Sequence, residues 1–328
     1  MTASSPTLDL GNAIKAANGF ESWFTSQTSA NPLAPERGFR ELATVLQNDP
    51  NMRIASLAPL LPGLLTLRGN PYHLENHFAM EPMFSTAMPW RLIMKCGRQV
   101  SKSTSLAAQG IIQSAVTGFF QTLYVLPLYE MTRRFSSNYV KAFIEESPVK
   151  PLMMTSQCEN SVLQKTFANK ARMFFTFAFL DCDRVRGLSA DKMVIDEVQD
   201  MDWEFIPIIR ETMSASDWGV EQYSGTPKTF DNTIEVLWQD SSMAEWLIKC
   251  TACNHWNIPS FEHDIMKMIG PVANIGKYGT ALVCASCGRP VDATKGGWVH
   301  QHPEKEVSFA GYHAPQIIFP MHYADEKK

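Results

Sequence analysis

Between Trp90 and about residue 243, apolar positions fall in short runs separated by longer stretches with helical spacing. The runs Arg91-Leu-Ile-Met-Lys-Cys96, Thr122-Leu-Tyr-Val-Leu126, Met173-Phe-Phe-Thr-Phe177, Met193-Val-Ile195 and Val220-Glu-Gln-Tyr223 predict strands of a buried parallel sheet. From Lys102 to Ser114 and from Tyr129 to Ile144 the apolar residues recur every three or four positions, which predicts helices. Strand and helix therefore alternate, and the expected fold is an α/β parallel sheet flanked by helices on both faces, with right-handed crossovers. Upstream, the patches Phe39 to Leu46 and Ile54 to Leu67 are interrupted by Pro32, Pro35, Pro50, Pro59 and Pro62, so short helices joined by loops are expected. After about residue 243 the alternation stops, and a stretch rich in Cys, Gly and Trp follows to about residue 300. The chain is thus divided into a helical lead-in over 1–80, an α/β core over 81–243, a small module over 244–300 and a closing segment over 301–328. No internal repeat is evident.

The segment Cys96-Gly-Arg-Gln-Val-Ser-Lys-Ser103 joins the first of these strands to its helix, the position a phosphate-binding loop occupies. Small residues let backbone N–H groups turn inward around a polyphosphate, a lysine adds a point charge at the β- and γ-phosphates, and a hydroxyl can ligate Mg²⁺. Lys102 and Ser103 fit the last two roles, and Gly97, Arg98, Gln99, Val100, Ser101 and Thr104 complete the candidate cradle. Against the pattern G-x-x-x-x-G-K-[ST], Cys96 replaces the first glycine and Ser101 the second. Alone, the segment equally fits a polar turn with Ser101 as N-cap.

Lys192-Met-Val-Ile-Asp-Glu197 is an apolar strand ending in two adjacent carboxylates. Pleating sends neighbouring side chains to opposite sides, so Asp196 can hold the metal while Glu197 orients the attacking water. A solvated strand end would carry the same residues, and it is the phosphate loop upstream that favours chemistry. The next strand ends in Ser224-Gly-Thr-Pro-Lys228, which places Thr226 near the acidic pair as a candidate γ-phosphate sensor. An ordinary turn is the alternative there.

Composition narrows the picture. The 328 residues are enough for one large domain or two smaller ones. A hydrophobic share of 45% with 19% charged residues is that of a folded chain. The net charge of −4 carries no basic excess, so any nucleic-acid contact must come from a local patch. No run approaches the roughly 18 apolar residues of a membrane span, and the N-terminus lacks the basic and apolar regions of a secretion signal. With seven cysteines, an odd number, a reducing compartment is expected.

Four of those cysteines form two C-x-x-C pairs, Cys250 with Cys253 and Cys284 with Cys287. Four thiolates so arranged can surround one Zn²⁺ tetrahedrally with no open position, which predicts a structural zinc-ribbon-like β module. The loop through Ile265 to Tyr278 bridges the pairs. His255 is a possible competitor, less suited because four cysteines suffice. A redox dithiol is a further alternative, but such motifs sit at helix starts. Cys96, Cys158 and Cys182 are left over.

Taken in order, these motifs resemble the large terminase subunits of tailed bacteriophages and related viruses. Arg98-Gln-Val-Ser-Lys-Ser103 looks like the terminase form of the phosphate loop, in which an arginine precedes the lysine and the general glycine pattern is relaxed. Asp196-Glu-Val-Gln-Asp200 resembles the family's acidic motif, with Arg184-Val-Arg-Gly-Leu-Ser189 before it, and Ser224-Gly-Thr-Pro227 resembles its coupling motif. The resemblance covers about residues 75 to 240. It implies a P-loop NTPase fold of the RecA-like, ASCE kind that binds ATP and Mg²⁺ and translocates double-stranded DNA into a procapsid. Lys102, Arg98, Glu197 and Thr226 would be catalytic, with Arg98 on the developing charge and Thr226 coupling hydrolysis to movement. It further implies a portal protein, a small terminase subunit and a homo-oligomeric ring as partners. The place of action would be the host cytoplasm, transiently on the procapsid and away from membranes.

The family's upstream adenine motif is not placed, although Tyr72 to Phe84 occupies its position. The family's nuclease domain is expected to be missing, because the chain ends at Lys328 soon after Gly311 to Gln316. Two other functions stay open at this point, a helicase-like remodelling ATPase and an assembly adaptor that no longer hydrolyses ATP.

Overall fold

The computed structural model describes residues 56–85, 89–150, 158–178, 181–229, 231–271, 280–319 and 322. The lead-in patch Phe39 to Leu46 lies outside the described residues, as do residues 1–55 generally. What is described of the lead-in is a short helix, α1 (Leu61–Leu64), and a hairpin of β1 (Thr66–Leu67) and β2 (Asn70–Pro71). Leu61, Leu64 and Leu65 are buried in the main core, and a 3₁₀ segment, Glu75–Phe84, leads on to the sheet.

The main sheet contains β3 (Arg91–Cys96), β4 (Gln121–Leu126), β5 (Gln164–Thr166), β6 (Arg172–Phe177), β7 (Lys192–Ile195), β8 (Val220–Gly225), β9 (Ala244–Lys249) and β10 (Trp256–Asn257). A separate ribbon of β11 (Ile269–Pro271) and β12 (Thr280–Leu282) follows, and β13 (Gly297–His300) and β14 (Phe309–Ala314) return to the main sheet. The strand order is β10-β9-β14-β3-β8-β7-β4-β6-β5, with β13 also paired to β9. From β9 through β6 the neighbours run parallel, and β5, β10 and β13 pair antiparallel at the two ends.

The helices are α2 (Lys102–Val116), α3 (Tyr129–Arg134), α4 (Ala142–Glu146), α5 (Phe205–Arg210) and α6 (Thr233–Asp240). A π-helical turn, Phe135–Lys141, joins α3 to α4, so the helix expected over Tyr129 to Ile144 is continuous. Pleating splits the core in two. Leu92, Met94 and Cys96 of β3 pack with Leu106, Ile111 and Ile112 of α2, whereas Ile93, Met193, Ile195 and Tyr223 pack with Ile206, Ile209, Ile234 and Leu237 on the other face. Each large apolar side chain so buried contributes roughly 1.5–3 kcal/mol. Among the described residues no helix is long and apolar enough to cross a membrane.

The sheet continues beyond the point where the sequence stops alternating. Strands β9, β13 and β14 lie outside the expected core of 81–243, and β14 is central, hydrogen-bonded along its length to β3. Phe309-Ala-Gly-Tyr-His-Ala314 has small residues and a histidine where a buried strand usually shows branched apolar ones, which is why the pattern does not announce it.

Candidate functional site

In this strand order β8 is wedged between β3, which ends at the phosphate loop, and β7, which ends at the acidic pair. All three deliver their C-terminal ends to one edge, where ligands of open α/β sheets bind. The loop leaves β3 at Gly97, whose N–H donates to the Ala314 carbonyl of β14 at 2.9 Å. A Cβ on Gly97 would stand 2.6 Å from the backbone nitrogen of Gln316, so only glycine admits the segment after β14 this close. Gln99 and Ser101 both take positive φ, 58° and 65°. The chain therefore makes its left-handed turns with Gln and Ser, and it holds Ser101 through its Oγ, 3.2 Å from His77 Nε2. Cys96, in the place of the usual first glycine, points into the core, where burial pushes its thiol up to about 12.

Lys102, the first residue of α2, is 7% exposed and reaches across β8 to the end of β7. Its Nζ donates to Asp196 Oδ1 at 2.6 Å and to Glu197 Oε1 at 2.7 Å. Burial alone would lower its pKa, but the two carboxylates outweigh it and hold the ammonium well above the ordinary lysine value. Burial likewise works against an ionised Glu197, and Lys102 overcomes it, so that carboxyl stays below its usual range. Asp196, 2% exposed, also accepts from Ser224 Oγ at 2.7 Å and from the Glu197 backbone N–H at 2.9 Å.

The structure thus brings together Lys102, Asp196 and Glu197 from two distant segments. Thr226 follows β8 next to them, its N–H donating to Gln199 Oε1 at 3.1 Å. Val100 is buried beneath the loop, while Ser103 and Thr104 stand half-buried in the first turn of α2. Arg98 is exposed and makes no ion pair among the described residues. The hydroxyl of Ser103 and the carboxylate of Asp196 are hard oxygen donors of the kind Mg²⁺ takes.

Sequence reasoning missed Ser224, Gln199, Gln316 and His77. Ser224 and Gln199 lie inside the motifs and could have been singled out for their polar ends. Gln316 and His77 come from segments far away in the chain, with no local signal.

The four cysteines also meet. Their Sγ atoms all lie within 4.8 Å of one another, with Cys250 to Cys287 at 3.7 Å and Cys253 to Cys284 at 3.6 Å. Sulfurs around zinc at ~2.3 Å stand about 3.8 Å apart in a tetrahedron, whereas a disulfide requires about 2.05 Å. The two knuckles share one turn. The carbonyl of Cys250 accepts from Asn254 N–H, and that of Cys284 from Gly288 N–H, each at 2.9 Å. Asn254 and Gly288 both take left-handed φ, 62° and 70°, which suits those two residue types. His255 turns instead toward Asp264, 3.6 Å away.

A phosphate loop, an intervening strand and an acidic strand end joined by one lysine define a P-loop ATPase. Residues 61–301 match the family described as phage terminase large subunit gpA, ATPase domain. The chain belongs to that family, and it is the ATPase of a phage DNA-packaging motor. No curated protein matches the chain. Among solved structures it is similar to the large terminase ATPase domain of Thermus phage P74-26, at 15% identity and a TM-score of 0.44, over 75% of this chain and 81% of that one. It is also similar to the large terminase of bacteriophage HK97, at 15% identity and a TM-score of 0.43, over 62% of this chain and 40% of that one.

Proposed function

We propose that the chain hydrolyses ATP at the edge formed by β3, β7 and β8 and uses the cycle to translocate double-stranded DNA into a procapsid. The observation that carries this reading is the grip of Lys102 on both Asp196 and Glu197. It supports a site in which the lysine of the phosphate loop and the two carboxylates that end β7 act on the same group. With nucleotide bound, Lys102 would serve the β- and γ-phosphates, Asp196 and Ser103 would hold Mg²⁺ to neutralise phosphate charge, and Glu197 would orient the attacking water. The backbone of Gly97 to Thr104 cradles the phosphates. Arg98 stabilises developing charge at this or a neighbouring subunit's site, a role its exposure and its lack of an ion pair among the described residues support. Thr226 passes the state of the γ-phosphate to the segment after β8. Assembly as a ring on a portal protein, with a small terminase subunit and in the host cytoplasm, completes the reading.

We assign the four cysteines to one structural Zn²⁺, supported by their donor chemistry and spacing. The zinc-ribbon-like module then forms an insert within 244–300, beside an ATPase unit that begins near residue 81.

The experiment that tests the site separates binding from hydrolysis. Glu197→Gln should bind a fluorescent ATP analogue like wild type and turn it over at least about 100-fold more slowly, whereas Lys102→Ala should lose both. Wild-type nucleotide affinity in Lys102→Ala contradicts the phosphate-loop assignment.

A further inference from the structure

The side-chain amide of Gln199 bridges the two segments that hydrolysis has to connect. Its Nε2 donates to Glu197 Oε2 at 2.6 Å, and its Oε1 accepts from the Thr226 N–H at 3.1 Å. Nε2 also lies 3.3 Å from Asp200 Oδ2, and Lys228 pairs with the other oxygen of Asp200. The acidic motif and the coupling segment are therefore tied at two points.

The backbone is built around this bridge. A Cβ on Gly225 would stand 2.2 Å from Gln199 Oε1 and 3.0 Å from Ile234 Cδ1, so glycine is what allows the amide to lie against the end of β8. Glu197 takes left-handed backbone angles, φ 54° and ψ 41°, a conformation unfavourable for a non-glycine residue. Its side chain is held from two sides, by Lys102 on Oε1 and Gln199 on Oε2. A glutamine suits the second position because one planar group offers a donor at one end and an acceptor at the other.

We propose that Gln199 is a positioning residue: it holds the Glu197 carboxylate in register with the backbone at Gly225 and Thr226, so that a change at one is transmitted to the other. When Lys102 leaves for phosphate, Gln199 remains as the contact that keeps Glu197 aimed. This rests on the reading of Glu197 as the residue that orients water.

The test is steady-state ATP turnover, analogue affinity and pH profile for variants of this one contact. Gln199→Ala should lower kcat about tenfold or more, as small misplacements of catalytic groups do, with analogue affinity unchanged. Gln199→Glu keeps the shape but cannot donate while ionised. Its turnover should be low at pH 8 and recover relative to wild type toward acid pH, as the new carboxyl protonates. Gly225→Ala should reproduce the loss in the wild-type background and add little to Gln199→Ala, since both break the same contact. Wild-type kcat in Gln199→Ala, or a Gly225→Ala loss that adds in full, overturns the proposal. If Glu197→Gln is inactive while Gln199→Ala is normal, the bridge alone fails. If Glu197→Gln turns over normally, the bridge and the underlying site assignment fail together.

Discussion

Lys192 opens β7 with its side chain turned inward, 1% exposed, and its Nζ meets Gln113 Oε1 at 3.2 Å with no carboxylate paired to it among the described residues. Burial lowers its pKa to about 7. In the unfolded chain the same amine titrates near 10.4, so between those values the unfolded state binds the extra proton. Stability is therefore lost as pH falls from about 10 to about 7, and is flat below that. Lys192→Met should stabilise the protein at pH 7 by on the order of 1 kcal/mol or more, with the advantage shrinking toward pH 10. Urea unfolding at the two pH values checks this, and a variant less stable at pH 7 contradicts it. The contrast with Lys102 shows what single residues reveal in sequence. Lys102, Asp196 and Glu197 could be singled out because phosphate and metal chemistry calls for those types in that order, and the fold brings the three side chains together. That Lys192 is buried without a carboxylate partner among the described residues, or that Gln199 spans two motifs, depends on neighbours brought in by the fold.

At the scale of elements, strands β3, β4, β6, β7 and β8 and helix α2 were readable because their apolar periodicity follows from burial on one or both faces. β14 was not, because its packing is made of absences. A Cβ on Gly311 would stand 2.0 Å from Ser241 Oγ and 2.7 Å from its Cβ. Gly311→Ala should cost about 1–3 kcal/mol of stability by overpacking, and adding Ser241→Gly should return part of it. Chemical denaturation decides, and an unchanged midpoint in Gly311→Ala contradicts the packing. The cysteine knuckles make the opposite case, since their spacing was legible while their attachment was not. β9 pairs with β14 and runs directly into Cys250, so the module hangs from the sheet that carries the phosphate loop. Purified protein should contain about one zinc per chain. Cys253→Ser with Cys287→Ser, or a strong chelator, should remove it and lower the melting temperature. Metal-free protein with an unaltered melting curve contradicts the zinc assignment.

The whole molecule joins these scales through strand order. Placing β8 between β3 and β7 sets the segment after β8 between the phosphate loop and the acidic pair, so on the proposed reading nucleotide sensing, water activation and coupling share one edge. The sequence conveyed the motifs in order, and the family followed from them, because the order itself is the signature of the arrangement. It could not convey that β14 flanks β3 and brings Gln316 against Gly97, a contact between residues 219 positions apart in number and adjacent only in the sheet. The chain's acidic balance, −4 overall, means that DNA must be met by a local surface. Stimulation of turnover by DNA should accordingly weaken as salt rises.

Whether Glu197 drives a DNA-stimulated ATPase is decided by steady-state ATP hydrolysis of the wild type and of Glu197→Gln, each with and without linear double-stranded DNA at low salt. Wild-type turnover should rise with DNA, and Glu197→Gln should drop by at least about 100-fold under both conditions. Hydrolysis by Glu197→Gln at the wild-type rate would contradict that role for Glu197.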